Sequence, residues 1–370
     1  MDTPIKILHV VGRMDRGGTE ALLMNLLRTI DRTKFHYDFV EQTRDVCDYD
    51  DEIRALDSTI YRCPHISPKN LRQYRRWWRD FFRAHPEYRI VHGHSRGSGP
   101  IYLDEARRAG RITIAHCHSG SHGKGVSGLI RYLWQLPLRH AAAHNFACSH
   151  DAGISQYGRK GRFRVIRNGI QIEKYTWNPT VRAALKKEMG LEDAVVFGNV
   201  SRFEIPKNHR FLVSVFAEIK KRCPRAKLML VGQGGLEAEI RSQIAQLGLE
   251  HDVVFTGVRS DVNALLQVMD AFVFPSLYEG LPLALVEAQA AGLSCFASAK
   301  VIAPEVRLTD ILHFIPLEES PARWAEYILA HTVPAEQRRD QSRAIIDAGF
   351  DIRTTAEMLN NFYLEVLKDE

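Results

Sequence analysis

The chain has 370 residues, 45% hydrophobic and 25% charged, a composition that fits a soluble globular protein with room for two domains, each burying its own core. No run of 18 or more apolar residues occurs, which excludes a membrane-spanning helix, and the opening residues Met1–Leu8 enter a strand-like run with no signal-type core. The net charge of +6 is unevenly shared: residues 1–180 carry 29 Lys and Arg against 18 Asp and Glu (+11), the remainder 21 against 26 (−5), so the basic half suits anionic lipid or a phosphorylated acceptor, and no motif for nucleic acid accompanies it.

In chain order, short apolar runs alternate with helical patterns. Strands are expected at Ile5–Val11, Tyr37–Glu41, Ile90–His92, Ile112–His116 and Asn145–Cys148, with helices at Thr19–Thr29, Asn70–Arg83 and Leu129–His140 between them. The alternation resumes with Val195–Val200, Lys227–Val231, Val253–Phe255, Ala271–Phe274 and Ser294–Ala297, then a weaker run, Ile311–Ile315. This pattern predicts two doubly wound parallel sheets, with ligands at the carboxyl ends of their strands in a cleft between the sheets. Turn signals at Asn168–Pro179 mark the hinge, giving domains 1–170 and 171–350. The tail from Pro321 reads as helices, and a terminal helix (351–368) is expected to return to the first domain. The six cysteines lack any Cys-x-x-Cys spacing and several lie in apolar runs, as free thiols in a reduced, cytoplasmic compartment would.

The first half offers a glycine-rich loop, Gly12-Arg-Met-Asp-Arg-Gly-Gly18, between a strand and a helix with Thr19 as its expected N-cap. Gly17 and Gly18 allow close backbone approach to a phosphate or sugar at a helix start, and the loop lacks the ending of a Walker motif. The histidines His92, His94, His116, His118 and His122 invite a metal reading, but nothing in the spacing fixes a third ligand or an open position, and no metal is expected. His116 and His118 share one face of a strand, so either can serve a site at its end. Asp48-Tyr-Asp50 matches an Asp-x-Asp metal motif by chance, in a run of acids outside any nucleotide-binding half. The helix Asn70–Arg83 interleaves Tyr74, Trp78, Phe81 and Phe82 with five arginines. It suits either peripheral docking on an anionic membrane or packing of its aromatics on the sheet.

The second half carries the donor-type chemistry. Arg202 ends a strand and Lys207 stands at the following helix start, where an intervening anion makes sense of a cation opposed to the helix dipole. Two such cations neutralise a departing diphosphate without a metal. Val231-Gly-Gln-Gly-Gly contributes Gly232 and Gly234 in a turn, and Asp261 reads as an N-cap. Glu279 and Glu287, with seven residues between them, flank a loop-to-helix junction with Pro282 at the expected first helical position, and Glu287 in an apolar helix needs hydroxyl partners, which a ribose supplies.

Glu279 with Glu287, Arg202 with Lys207, Val231-Gly-Gln-Gly, Ala147-Cys-Ser, Asn168-Gly-Ile and the opening Leu8–Glu20 together resemble the retaining glycosyltransferases of family 4, which have the two-Rossmann GT-B fold, and in particular their bacterial exopolysaccharide members. That resemblance implies that Glu287 holds the ribose and Arg202 with Lys207 the diphosphate. Glu279 and the backbone of Gly280, Leu281 and Leu283 would hold the donor sugar, and Asn168 would lie near the acceptor. It also implies a functional histidine near the end of the fifth strand, His118 in preference to His116. The implied reaction moves a hexose from a nucleotide-sugar, UDP favoured over GDP, to a lipid-linked or oligosaccharide acceptor at the inner face of the plasma membrane. No metal or other cofactor is implied. Other readings are a nucleotide-sugar epimerase or hydrolase of the same fold and a non-catalytic nucleotide- or sugar-binding subunit. A dinucleotide oxidoreductase is weaker, because no Gly-x-Gly-x-x-Gly follows Val11 or Val231.

Overall fold

Seven strands build the first sheet: β1 (Ile5–Val11), β2 (Phe35–Glu41), β3 (Ile60–Arg62), β4 (Ile90–Gly93), β5 (Ile112–Cys117), β6 (His144–Ala147) and β7 (Arg164–Val165). Six build the second: β8 (Val195–Val200), β9 (Ala226–Val231), β10 (Val253–Gly257), β11 (Ala271–Phe274), β12 (Ser294–Ser298) and β13 (Leu312–Ile315). The computed structural model describes residues 3–118 and 133–368. It divides into one unit of Met1–Ile170 with Gly349–Glu370 and another of Gln171–Ala348. All the paired strands run parallel, in the orders β3-β2-β1-β4-β5-β6-β7 and β10-β9-β8-β11-β12-β13. These are two Rossmann-like units of the GT-B type. Central strands such as Ala226–Val231 and Ala271–Phe274 are near-continuous apolar runs because helices cover both faces of a parallel sheet.

In each sheet the strand order reverses once, between β1 and β4 and between β8 and β11. At such a point neighbouring loops diverge to opposite faces and leave a crevice at the carboxyl ends. Loop Gly12–Gly17 and His94 therefore adjoin in the first unit, as do the loops 201–208 and 275–282 in the second.

The helix Ile352–Lys368 belongs to the first unit. Ile170 N–H donates to Phe350 O at 2.8 Å, Ile170 and Asp351 form a parallel bridge, and Leu359, Phe362, Tyr363 and Val366 join the core under β1 and β2. The helix Leu71–Ala84 turns Tyr74, Trp78, Phe81 and Phe82 inward on a 3.6-residue period, each burial contributing about 1.5–3 kcal/mol. Arg75 and Arg79 are drawn to buried Glu105 at 2.7 and 2.8 Å. The aromatic stripe is therefore core rather than a membrane-facing surface, and the arginines that the helix exposes are Arg72, Arg76, Arg79 and Arg83.

Three local expectations, all at helix starts, are corrected. The helix Gly18–Thr29 begins one residue early, with Gly17 and not Thr19 at its N-cap. Pro282 sits at the N-cap of Leu283–Ala290 rather than inside the first turn. Asp261 holds the N-cap position of Val262–Val268, but its carboxylate pairs with Arg259 at 2.6 Å instead of capping. Asp50 of the chance Asp-x-Asp is fully buried against Arg62, and Asp48 accepts from the Arg16 amide at 3.1 Å. All six cysteines are free, five of them buried. His122 and the first part of the expected helix Leu129–His140 lie outside the described residues. Among those described, no helix is long and apolar enough to cross a membrane.

Candidate functional site

In the second unit the site starts from two glycines. Gly232 has a φ of +135°, and a Cβ there would lie 2.2 Å from Ser201 O; at Gly234 it would lie 2.5 Å from Phe203 O. The bare backbone lets the turn after β9 bond the loop after β8, through Phe203 N to Gln233 O (3.0 Å) and Leu236 N to Phe203 O (3.0 Å). Gly232 and Gly234, expected at the donor, thus contribute by fixing the loop that carries Arg202. A second stitch joins this loop to the one after β11. Asn208, in the left-handed region at φ 56°, donates to Pro275 O at 3.0 Å, and Leu277 N donates to Pro206 O at 2.8 Å.

These two stitches bring Lys207 Nζ to 2.7 Å from Glu279 Oε1, both side chains largely shielded from water. Lys207 Nζ also lies 5.3 Å over the Phe274 ring. Arg202 is exposed and turns to Glu204 at 3.1 Å rather than toward Lys207. Beneath them Asn199 donates to Val273 O (2.8 Å), Ser201 Oγ bonds Asn199 Oδ1 (2.5 Å), and His209 Nε2 meets Ser201 Oγ (3.2 Å). Burial, with the Lys207 charge adding to it, lowers His209 to about 4, so this prop is neutral.

Glu287, half-buried on the helix Leu283–Ala290, accepts a hydrogen bond from the Tyr175 hydroxyl at 2.8 Å. Burial pushes its carboxyl up from the ordinary value, and the Tyr175 bond opposes that. Gly280 and Leu281 are half-buried just before this helix, and Leu283 is buried at its first position. The amides of a helix start are free of intrahelical partners, so this junction pairs anion donors with two carboxylates. Tyr175 joins this candidate site although nothing in the sequence pointed to it. It is held by Gln267 Nε2 on its carbonyl (3.1 Å) and by Asn263 on the Lys174 carbonyl (3.2 Å), in a turn segment with no periodicity to signal it.

In the first unit, Gly17 makes room for an acid: a Cβ there would lie 2.4 Å from Glu20 Oε2. A carboxylate already occupies this helix start, which removes the simplest reason to place a phosphate at Gly17 and Gly18. Arg13 is braced by Asp15 (2.6 Å), Asp45 (2.5 Å) and Thr43 (3.2 Å). It lines an open groove of about 780 Å³ together with Gly12, Gln42, Arg44, His65 and Asn70.

The first unit also holds a histidine cluster. Strand register sets His9 opposite His92 and His92 opposite Ile114, so the two-residue period puts His9, His92, His94, His116 and His118 on one face. Two hydrogen-bonded chains result. One runs from His9 Nδ1 to His94 Nε2 (3.0 Å) and from His94 Nδ1 to His118 Nε2 (2.8 Å). The other runs from Tyr363 OH to His92 Nδ1 (2.7 Å) and from His92 Nε2 to His116 Nδ1 (3.2 Å). Burial lowers all five, His9 to about 3 and His118 to about 4, so every ring is neutral near pH 7. His116 is buried inside the stack, whereas His118 is only half-buried beyond the strand and neighbours Asn168. The structure supplies the third ligand that spacing left open, in His9–His92–His94 and in His94–His116–His118. In each group, however, His94 already spends both nitrogens on other rings, so a cation would have to displace existing bonds.

Comparison with known proteins follows this division of the chain. A family described as Glycosyltransferase Family 4 matches residues 16–174, and one described as glycosyl transferases group 1 matches residues 181–331. The chain is 32% identical to the "Putative glycosyltransferase EpsF" of Bacillus subtilis over 369 residues, 97% of this chain and 96% of that one. It is 30% identical, over 57% of its length and 58% of the relative's, to the UDP-Gal:alpha-D-GlcNAc-diphosphoundecaprenol alpha-1,3-galactosyltransferase of Escherichia coli. Among solved structures, HepE of Anabaena in complex with UDP and glucose is similar in fold, with a TM-score of 0.79 at 21% identity over 99% of this chain and 100% of that chain.

Proposed function

From the premise that the chain belongs to the glycosyltransferases with family 4 and group 1 halves, we propose that it transfers a hexose, with retention of configuration, from a UDP-sugar. The acceptor is a lipid-linked or other oligosaccharide in polysaccharide assembly. The observation that carries this reading is the Lys207–Glu279 pair held by the two stitched loops of the second unit, beside the helix that presents Glu287 and its Tyr175 partner.

The chemistry follows from the residues. Glu287, oriented by Tyr175, accepts hydrogen bonds from two ribose hydroxyls. Lys207, with Arg202 swinging from Glu204, meets the diphosphate, whose charge grows as the bond to the anomeric carbon breaks. Stabilising that charge lowers the barrier where it matters. Lys207 then shares its ammonium between phosphate and Glu279, and Glu279 turns to the sugar hydroxyls with the amides of Gly280, Leu281 and Leu283. The incoming acceptor hydroxyl forms the new bond on the face the leaving group departs from, and its proton passes to a donor phosphate oxygen. Because two side-chain cations and a helix start supply the positive charge, transfer proceeds without a metal.

UDP in preference to GDP draws on the Escherichia coli relative named for UDP-Gal and on UDP in HepE. A lipid-linked acceptor draws on the diphosphoundecaprenol in that relative's name and on the basic first half with its arginine-lined groove. Membrane contact, on this reading, is electrostatic, through Arg72, Arg76 and Arg83.

The test is transfer from UDP-hexoses to a polyprenyl-diphosphate sugar, with excess EDTA and NMR of the product's anomeric carbon. Retained configuration and EDTA resistance, with loss of turnover in Lys207→Ala, are expected. Sugar release or epimerisation without acceptor points to the epimerase or hydrolase reading. Unimpaired transfer by Lys207→Ala removes the assigned site.

A further inference from the structure

The three-ring chain His9–His94–His118 contains two hydrogen bonds between rings, and each bond needs one proton. Three neutral imidazoles carry three ring protons, so one proton is left for an end of the chain. It sits on His9 Nε2 or on His118 Nδ1, and both atoms are buried with no partner of their own. The surroundings of the two ends differ. His9 faces the rings of Tyr37 at 4.4 Å and Phe39 at 5.6 Å, which accept a buried N–H poorly. His118 neighbours Asn168, whose buried Oδ1 also lacks a partner. The two atoms do not bond each other as placed, so a small rotation of the ring or the carboxamide is needed to join them; a proton on His118 Nδ1 then satisfies both, whereas one on His9 Nε2 leaves a stranded donor, the costlier kind of unmet group.

We propose that the chain has one polarity, His9 to His94 to His118 to Asn168, with all three rings as Nδ1–H tautomers, and that His94 and His118 are positioning residues for Asn168. His118 then has no lone pair to offer as a base: Nε2 accepts from His94, and Nδ1–H is directed to Asn168. The carboxamide, pinned by its oxygen, turns its NH2 away from the chain as a donor to a sugar hydroxyl or phosphate oxygen. The neighbouring rings, His92 and His116, are also neutral and do not disturb this order. The inference rests on the glycosyltransferase reading for the use of Asn168, but the tautomers are a property of the fold alone.

Two readouts test it. Long-range proton–nitrogen NMR on the full chain labelled with 15N-histidine reads each tautomer, with His9→Phe, His94→Gln and His118→Gln assigning the signals. Protonated Nδ1 on all three rings at neutral pH is expected, and protonated Nε2 or an imidazolium at His118 overturns the proposal. In transfer assays His94→Gln and Asn168→Ala are expected to lower kcat roughly ten- to hundredfold by misplacing one donor. UDP affinity, which is set in the other unit, reports on folding and is expected to stay unchanged. A normal kcat in Asn168→Ala overturns the donor role assigned to it. If the tautomers are as stated but wild type transfers no sugar, the glycosyltransferase reading fails and the polarity stands. If wild type transfers normally and the tautomers are reversed, the opposite holds.

Discussion

Lys207 and Glu279 neutralise each other at 2.7 Å, so removing either leaves a shielded charge alone. Glu279→Ala is therefore expected to tighten binding of UDP alone, by freeing Lys207 for phosphate, while lowering kcat for the UDP-sugar. Equal weakening of both would contradict the assigned division of labour. Tyr175→Phe removes a hydrogen bond to a carboxylate, worth about 1.5–3 kcal/mol, and with it the brake on the rise of the Glu287 pKa. Nucleotide affinity should fall about tenfold or more, a loss of about 1.4 kcal/mol per decade, measured by titration calorimetry; no change would remove Tyr175 from the site. These residues differ in how far sequence announced them. Arg202, Lys207, Glu279 and Glu287 lie in motifs, whereas Tyr175 reaches Glu287 across 112 positions and leaves no local trace.

Loops and strands set the precision of that site. Gly232→Ala puts a Cβ 2.2 Å from Ser201 O in a backbone region side chains avoid, and is expected to cost about 1–3 kcal/mol. Thermal unfolding with parallel UDP titration checks it, and an unchanged midpoint would show that the turn relaxes freely. The strands Ile5–Val11, Val195–Val200 and Ala271–Phe274 were legible to the residue, because buried parallel strands are near-continuous apolar runs, broken here only by Lys6, His9 and Asn199 among polar residues. Ile60–Arg62 and Arg164–Val165 were not, since edge strands of three and two residues carry no period. The helix Leu71–Ala84 showed its amphipathic period, but sequence could not say whether sheet or membrane lay against the aromatics. Glu105, thirty residues from Arg75, supplies part of the answer.

Within the first unit, five neutral histidines make stability depend on pH. His9 titrates at 6.5 when exposed and at about 3 in the fold, because burial disfavours its charge. As pH falls below 6.5 the unfolded chain takes up the proton and the folded one does not, so stability drops across that window. His9 alone costs about 2 kcal/mol at pH 5. Glu41, pushed up to about 7 by burial, works the other way, as one group against five. The unfolding midpoint of this unit should therefore fall between pH 7 and pH 5, with a shallower slope in His9→Phe, and equal slopes would contradict the buried, neutral cluster. The cluster also marks the limit of what spacing conveys. The pairs His92/His94 and His116/His118 were visible, but His9, eighty-five positions from His94, joins them only through the pairing of β1 with β4.

The proposed metal-independent uridine nucleotide site in the second unit is open to isothermal titration with UDP, GDP and ADP, without and then with Mg²⁺. Micromolar binding of UDP in the absence of metal, weaker binding of the other two, and loss of UDP binding in Glu287→Ala are expected. Binding of none of the three, or UDP affinity untouched by Glu287→Ala, would contradict it.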